Sequence, residues 1–158
     1  MYRNILLVYD GSPDGCEALD QVAMLASMSG ATVRLLAVID TSPAMLQTEG
    51  MSFVPEIERP EIEQMLDEAE ERLRRVGCAA TNDVKHGDPA EQIIVSARES
   101  NADLIVLGHR DQGTLARWLN GSVGASILHS PPCSVLVAVK SAQTTHGVRP
   151  MRMLDLLK

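Results

Sequence analysis

Four short apolar runs constrain this chain more than any other feature: residues 5–9 (ILLVY), 33–39 (VRLLAVI), 104–107 (LIVL) and 135–139 (VLVAV). They are rich in Val, Ile and Leu and run on rather than alternating with polar residues. A strand with one face in water alternates; a continuous run needs burial on both faces, as in a parallel sheet covered by helices. A weaker strand is expected over residues 80–85. Helical signals fill the gaps. Ser12-Pro13 reads as an N-cap followed by Pro at the first helical position, with Gly30 as the stop and Cys16, Leu19, Ala23 and Ala26 as the apolar stripe. A second helix is expected over residues 60–76, with Ile62, Met65, Leu66, Ala69 and Leu73 on one face. The third opens at Asp88-Pro89-Ala90-Glu91, which has the form of a capping box, and buries Ile93, Ile94 and Ala97. The fourth opens near Gly121-Ser122, carries Val123, Ile127 and Leu128, and stops at Pro131-Pro132. The order β-α-β-α-β-α-β-α-β implies right-handed crossovers and an open, doubly wound α/β sheet with helices on both faces.

The chain of 158 residues has the length of one ordinary domain. Residues 40–59 form a long connection without clear periodicity, and residues 141–158 follow the last strand as a polar linker and a short apolar tail. The domain is therefore expected over residues 1–140. With 3% aromatic residues, the core must be built from Leu, Val, Ile, Ala and Met. A net charge of -7 argues against nucleic acid or an anionic membrane as the main partner, since both need clustered positive charge. It leaves room for a phosphate held by loop amides. Cys16, Cys78 and Cys133 show no metal or disulfide spacing and read as reduced thiols of a cytoplasmic protein. The start of the chain enters a strand without the pattern of a signal peptide. No run is long enough to span a bilayer.

In an open α/β sheet, ligands sit beyond the carboxyl ends of the strands where strand order reverses. Polar and glycine residues gather at those ends: Asp10-Gly11-Ser12 after the first run, Asp40 after the second, and Gly108-His109-Arg110-Asp111 after the LIVL run. A loop then leads to Asn120-Gly121-Ser122-Val123-Gly124 at a helix start. Glycine admits close backbone approach, and amides at a helix N-terminus point at anions. Gly108, Gly121 and Ser122 thus suit a phosphate cradle; a structural turn with an ordinary helix cap explains them equally. Residues 108–114 lack the lysine of a P-loop, and residues 10–15 are not a dinucleotide fingerprint. His86, His109, His129 and His146 show no metal spacing. Trp118 and Leu119 read as loop packing, and the acidic run 67–71 as a solvated helix face.

The opening ILLVYDGS, the Gly87-Asp88-Pro89 turn, ADLIVLG at residues 102–108, and Gly121-Ser122-Val123 through PCSVLV at residues 132–137 together resemble the universal stress protein family. The resemblance covers roughly residues 2–140. It implies a Rossmann-like five-stranded parallel sheet of order 3-2-1-4-5. The nucleotide-binding branch of that family has Gly, two residues, Gly, nine residues, then Gly-Ser or Gly-Thr. Gly108 and Gly121-Ser122 hold the first and last places, whereas Asp111 stands in the middle one, with Gly113 two residues on. A carboxylate there repels a triphosphate. The resemblance implies ATP or a related adenine nucleotide, with Mg²⁺ as a candidate companion. Asp10 would bond the adenosine part, Val38 would meet adenine through its backbone, and Val8, Tyr9 and Ser12 would line the pocket. Leu107, Gly108, His109, Arg110, Gly121, Ser122, Val123 and Gly124 would surround ribose and phosphates. For Asp10, an Asx-type turn is the plainer explanation.

The expectation is a cytoplasmic stress-response module that binds ATP, ADP or AMP and forms a homodimer through strand 134–139, as such proteins commonly do. No catalytic set stands out, and without a general base or a Walker lysine any ATP hydrolysis is expected to be slow. The alternative is a homodimeric interaction protein of the same family that binds no nucleotide, which Asp111 favours. A phosphorylatable receiver domain fits poorly, because the first strand ends in one Asp rather than an acidic pair, and the turn after the third is His86-Gly87-Asp88.

Overall fold

Side chains on successive strand residues point to opposite faces, so each continuous apolar run must feed two cores at once. The computed structural model describes residues 1–41, 58–108, 127 and 129–139. Its elements are β1 (Asn4–Val8), α1 (Pro13–Ser29), β2 (Thr32–Asp40), α2 (Glu58–Arg75), β3 (Ala80–Gly87), α3 (Pro89–Glu99), β4 (Leu104–Gly108) and β5 (Ser134–Ala138). The strands are parallel in the order β3-β2-β1-β4-β5, as the resemblance implied. Ile5 lies opposite both Val33 and Leu104.

One core receives Ile5, Leu7, Val33, Leu35 and Val106 from the sheet and Leu19, Val22, Leu66 and Leu73 from α1 and α2. The other receives Leu6, Leu36, Ile105 and Leu107, covered by Ile93 and Ala97 of α3 and by Ile127. Ile127 and His129 are helical, in the segment where the fourth helix was expected. The start of that helix, residues 42–57 and the tail 141–158 lie outside the described residues. Within α1 the buried stripe is Gly15, Ala18, Leu19, Val22 and Ala26, while Cys16 and Ala23 sit at its margin.

The helix ends follow their expected chemistry. Ser12 caps α1, accepting the Gly15 N–H at 3.1 Å, and the Gly30 N–H closes the other end on Ala26 O at 2.8 Å. Asp88 caps α3, its Oδ1 accepting from Ala90 N and Glu91 N, each at 3.1 Å. At the sheet's edge β3 runs two residues further than expected, to Gly87. It is polar on both faces, and its partners come from elsewhere. Arg34 of β2 pairs with Asp83 at 3.0 Å, and Lys85 reaches Asp83 and Glu99 at 3.6 and 3.4 Å. Asn82 donates to Asp67 and Glu70 of α2, so part of the acidic run braces the edge strand while Asp67, Glu68 and Glu71 remain exposed.

Ser96 of α3 breaks the pattern. It is fully buried and its hydroxyl has no hydrogen-bond partner. A buried hydroxyl left unpaired costs roughly 1–3 kcal/mol of desolvation. Ser96→Ala is therefore expected to leave the urea midpoint unchanged or raise it. Ile93→Ala, three residues away in the same core, should cost about 2–5 kcal/mol. A fall of comparable size for both variants would show that the Ser96 hydroxyl is satisfied in solution.

Candidate functional site

From β1 the chain builds outward to β2 and β3, then returns to place β4 and β5 on the other side of β1. Strand order reverses between β1 and β4, where Val8 lies opposite Leu107. The residues just beyond this pair form the walls of the crevice.

On the β1 wall, the Tyr9 N–H donates to Leu36 O at 2.9 Å, which carries the backbone one residue past the strand. The Tyr9 side chain turns into the core under α1, only 7% exposed, with its hydroxyl 3.4 Å from Cys16 Sγ. Burial, helped by that thiol contact, pushes the phenol's pKa well up, so Tyr9 is neutral here. Asp10 closes an Asx-type turn: its Oδ1 accepts from Ser12 N at 3.0 Å and from the Ser12 hydroxyl at 2.6 Å. The Ser12 oxygen in turn accepts the Gly15 N–H, and Ser12 O accepts the Cys16 N–H at 2.8 Å. Gly11 bridges the turn at φ +70°, with Met65 of α2 packed where a side chain would otherwise stand.

On the neighbouring strands, Val8 and Val38 are half-buried against the second core, and Leu107 is fully buried in it. In a parallel ladder, residues two apart turn the same backbone edge to the same neighbour. Leu36 turns its carbonyl toward the β1 side, so Val38 does the same, past the last paired residue of β1, Val8.

Gly108 ends β4 in close contact with the first turn of α1. A Cβ built on it would lie 2.8 Å from Asp14 O, 2.9 Å from the Asp14 carbonyl carbon and 3.1 Å from Gly15 N. All three are backbone atoms, so the absent side chain is what admits α1 to this position. Sequence reasoning singled out Gly108 for phosphate and did not foresee this packing. It also passed over Asp14, which reads in sequence as an ordinary acidic residue of a first helical turn. Its proximity to Gly108 spans a separation in sequence that no local pattern reveals. His109, Arg110, Asp111, Gly121, Ser122, Val123 and Gly124 lie outside the described residues.

The three cysteines are free, and burial raises the thiol pKa of Cys78 and Cys133. Among the described residues no group of three or more His, Cys, Asp or Glu gathers where it could hold a metal ion. No described helix is long and apolar enough to cross a membrane.

Sheet order, two-sided helix cover and a crevice at the β1–β4 reversal define a Rossmann-like α/β protein. The chain belongs to the universal stress protein family, whose model matches residues 1–140. It is similar to universal stress protein MJ0531 of Methanocaldococcus jannaschii, at 30% identity over 89% of this chain and 84% of that one. It is likewise similar to universal stress protein YxiE of Bacillus subtilis, at 30% identity over 87% and 99%. Among solved structures, a universal stress protein family member from Burkholderia pseudomallei aligns with TM-score 0.65 and 30% identity, over 86% of this chain and 95% of that one. A universal stress protein solved in complex with cAMP aligns with TM-score 0.64 at 24% identity, over 86% and 95%. One from Archaeoglobus fulgidus in complex with dAMP aligns with TM-score 0.63 at 21% identity, over 86% and 97%.

The packing of Gly108 generates a test that needs no ligand. Gly108→Ala should lower the stability of the nucleotide-free protein by about 1–3 kcal/mol, because the clash is with backbone that cannot rotate away. A chemical melt at unchanged midpoint would show that the first turn of α1 yields freely.

Proposed function

We propose that this protein binds an adenine nucleotide (ATP, ADP or AMP) at the carboxyl ends of β1, β2 and β4, and serves as a stress-response or regulatory module. The observation that carries the reading is the juxtaposition of the Asp10–Ser12 turn and Gly108 across the strand-order reversal. That is where open α/β sheets take ligands. The Val38 backbone edge, lying past the end of β1, suits the flat edge of adenine. Structural neighbours in complex with cAMP and dAMP support the choice of base. Phosphates would fall to Gly108 and to the segment with His109, Arg110, Gly121, Ser122, Val123 and Gly124, with Mg²⁺ accompanying a polyphosphate. Ribose and base would fall to Val8, Tyr9, Asp10, Ser12, Val38 and Leu107. Titration calorimetry of nucleotide-free protein with ATP and Mg²⁺ should give binding heat. Gly121→Val should remove it by blocking backbone approach. Absence of both heat and thermal shift at millimolar nucleotide rejects the proposal.

One set of observations favours the alternative, an interaction protein without nucleotide. Asp10 is engaged by its turn, Tyr9 is buried and Gly108 is used in packing, so each has a role with no ligand present. Under either reading the protein is proposed to be a homodimer through β5. The edge strand β3 is studded with Asn82, Asp83 and Lys85, whereas β5 is Ser-Val-Leu-Val-Ala and is followed by Val139, 56% exposed. An apolar edge of this kind needs cover. Sedimentation should report a dimer, and Val139→Asp should shift it toward monomer. A wild-type monomer at high micromolar concentration would exclude the dimer.

A further inference from the structure

Besides its buried stripe, α1 has an outer one. Glu17, Gln21, Met24 and Met28 recur at i, i+4, i+7 and i+11, which is one side of a helix. Glu17 and Gln21 are half-buried and bonded to each other, the Gln21 Nε2 donating to Glu17 Oε1 at 3.3 Å, whereas Met24 and Met28 are 65% and 73% exposed. A single exposed apolar side chain needs no explanation, but two methionines one turn apart on the same side make an apolar strip. The helix carries Asp14, Glu17 and Asp20 and no Lys or Arg, and Asp20 pairs with Arg72 of α2 at 2.6 Å. The outer stripe therefore runs from acidic to apolar in the direction of the chain. A cover that fits it runs from basic to apolar.

The chain contains such a segment. Residues 149–158, which lie outside the described residues, read Arg-Pro-Met-Arg-Met-Leu-Asp-Leu-Leu-Lys. At helical spacing Arg149, Met153, Leu154 and Leu157 share one side, basic first and apolar after, while Asp155 falls on the opposite side. The tail also departs from a suitable place. Ala138, the last residue of β5, lies opposite Gly108, and Gly108 touches the first turn of α1. The chain thus leaves the sheet beside the start of α1. From Val139 to Arg149 it can span up to about 35 Å when extended, against roughly 25 Å for the whole length of α1. We propose that the outer stripe of α1 is a docking surface for this chain's own residues 149–158, laid parallel to the helix with Arg149 beside Glu17 and with Leu154 and Leu157 over Met24 and Met28. A segment this short does not hold a helix alone in water, so its order depends on the surface it meets. The short tether favours the same chain over a second copy, because it keeps the segment near the stripe at an effective concentration on the order of millimolar.

Methionine footprinting of the full chain with hydrogen peroxide, read by mass spectrometry, tests this, because thioethers become sulfoxides at rates that follow their access to solvent. Met1, 95% exposed, is the reference for a free side chain, and half-buried Met65, packed on the core, reports on the domain itself. At low micromolar protein, Met24 and Met28 should oxidise about threefold or more slowly than Met1. Leu154→Asp combined with Leu157→Asp should bring both to the Met1 rate and leave Met65 unchanged. Arg149→Glu should expose them in part, and adding Glu17→Arg to it should restore the protection, a rescue that an unspecific apolar contact does not give. The inference is overturned if Met24 and Met28 of the wild type oxidise as fast as Met1, or if the tail variants leave their rates unchanged. It is equally overturned if the protection fades on dilution, which would assign the surface to a second copy.

Discussion

Burial of β1 and β4 on both faces is the constraint from which the rest of the molecule follows. Leu6, Leu7, Ile105 and Val106 are each fully buried, two toward each core. Burying one such side chain contributes about 1.5–3 kcal/mol, but only if helices cover both sides of the sheet. Parallel pairing then requires each strand to return by a crossover, and right-handed crossovers on two faces require the chain to wind outward from the centre twice. A break in strand order between β1 and β4 is the geometric result. The crevice is therefore a by-product of how the core is covered, before any ligand is considered.

The central strands were legible for the same reason. Residues 5–9, 33–39 and 104–107 are short runs rich in Val, Ile and Leu, of the kind a doubly covered sheet needs, and their observed bounds differ by a residue at most at either end. Helix starts were legible where a side chain does the capping, at Ser12 and Asp88. β3 was weaker because its polar side chains find partners far away in sequence: Asp83 with Arg34, and Asn82 with Asp67 and Glu70. The strand order came from resemblance to a family, since periodicity says nothing about which strands are neighbours. For the site, sequence reasoning named candidate ligand residues without the roles that some of them also have in the fold. Tyr9, named as pocket lining, is also buried in the core, and Gly108, named for phosphate, also packs against α1.

Asp10, Ser12 and Gly108 serve the fold, and this shapes what a ligand would meet. The chain of bonds from Gly15 N to Ser12 to Asp10 fixes the turn before anything binds. A wall held by its own hydrogen bonds needs little ordering on association, which lowers the cost of binding. The same bonds occupy the Ser12 and Gly15 amides. On the proposed reading, a nucleotide would meet on this side a turn whose shape is already fixed by the fold.

The two edges of the sheet carry the last consequence. On β3 the network of Arg34, Asp83, Lys85 and Glu99 is partly solvated, and pairs of this kind contribute little to stability, roughly 0–1 kcal/mol each. Their effect lies in association: a strand joining that edge would have to desolvate these charges without new partners. The described residues of β5, Ser134–Ala138, carry no such charges. A molecule with one open edge can pair with its own copy about a two-fold axis and then has no edge left to extend. Charges that add little energy to the folded chain thus discourage pairing at the β3 edge, and this is why the proposed dimer is placed on β5.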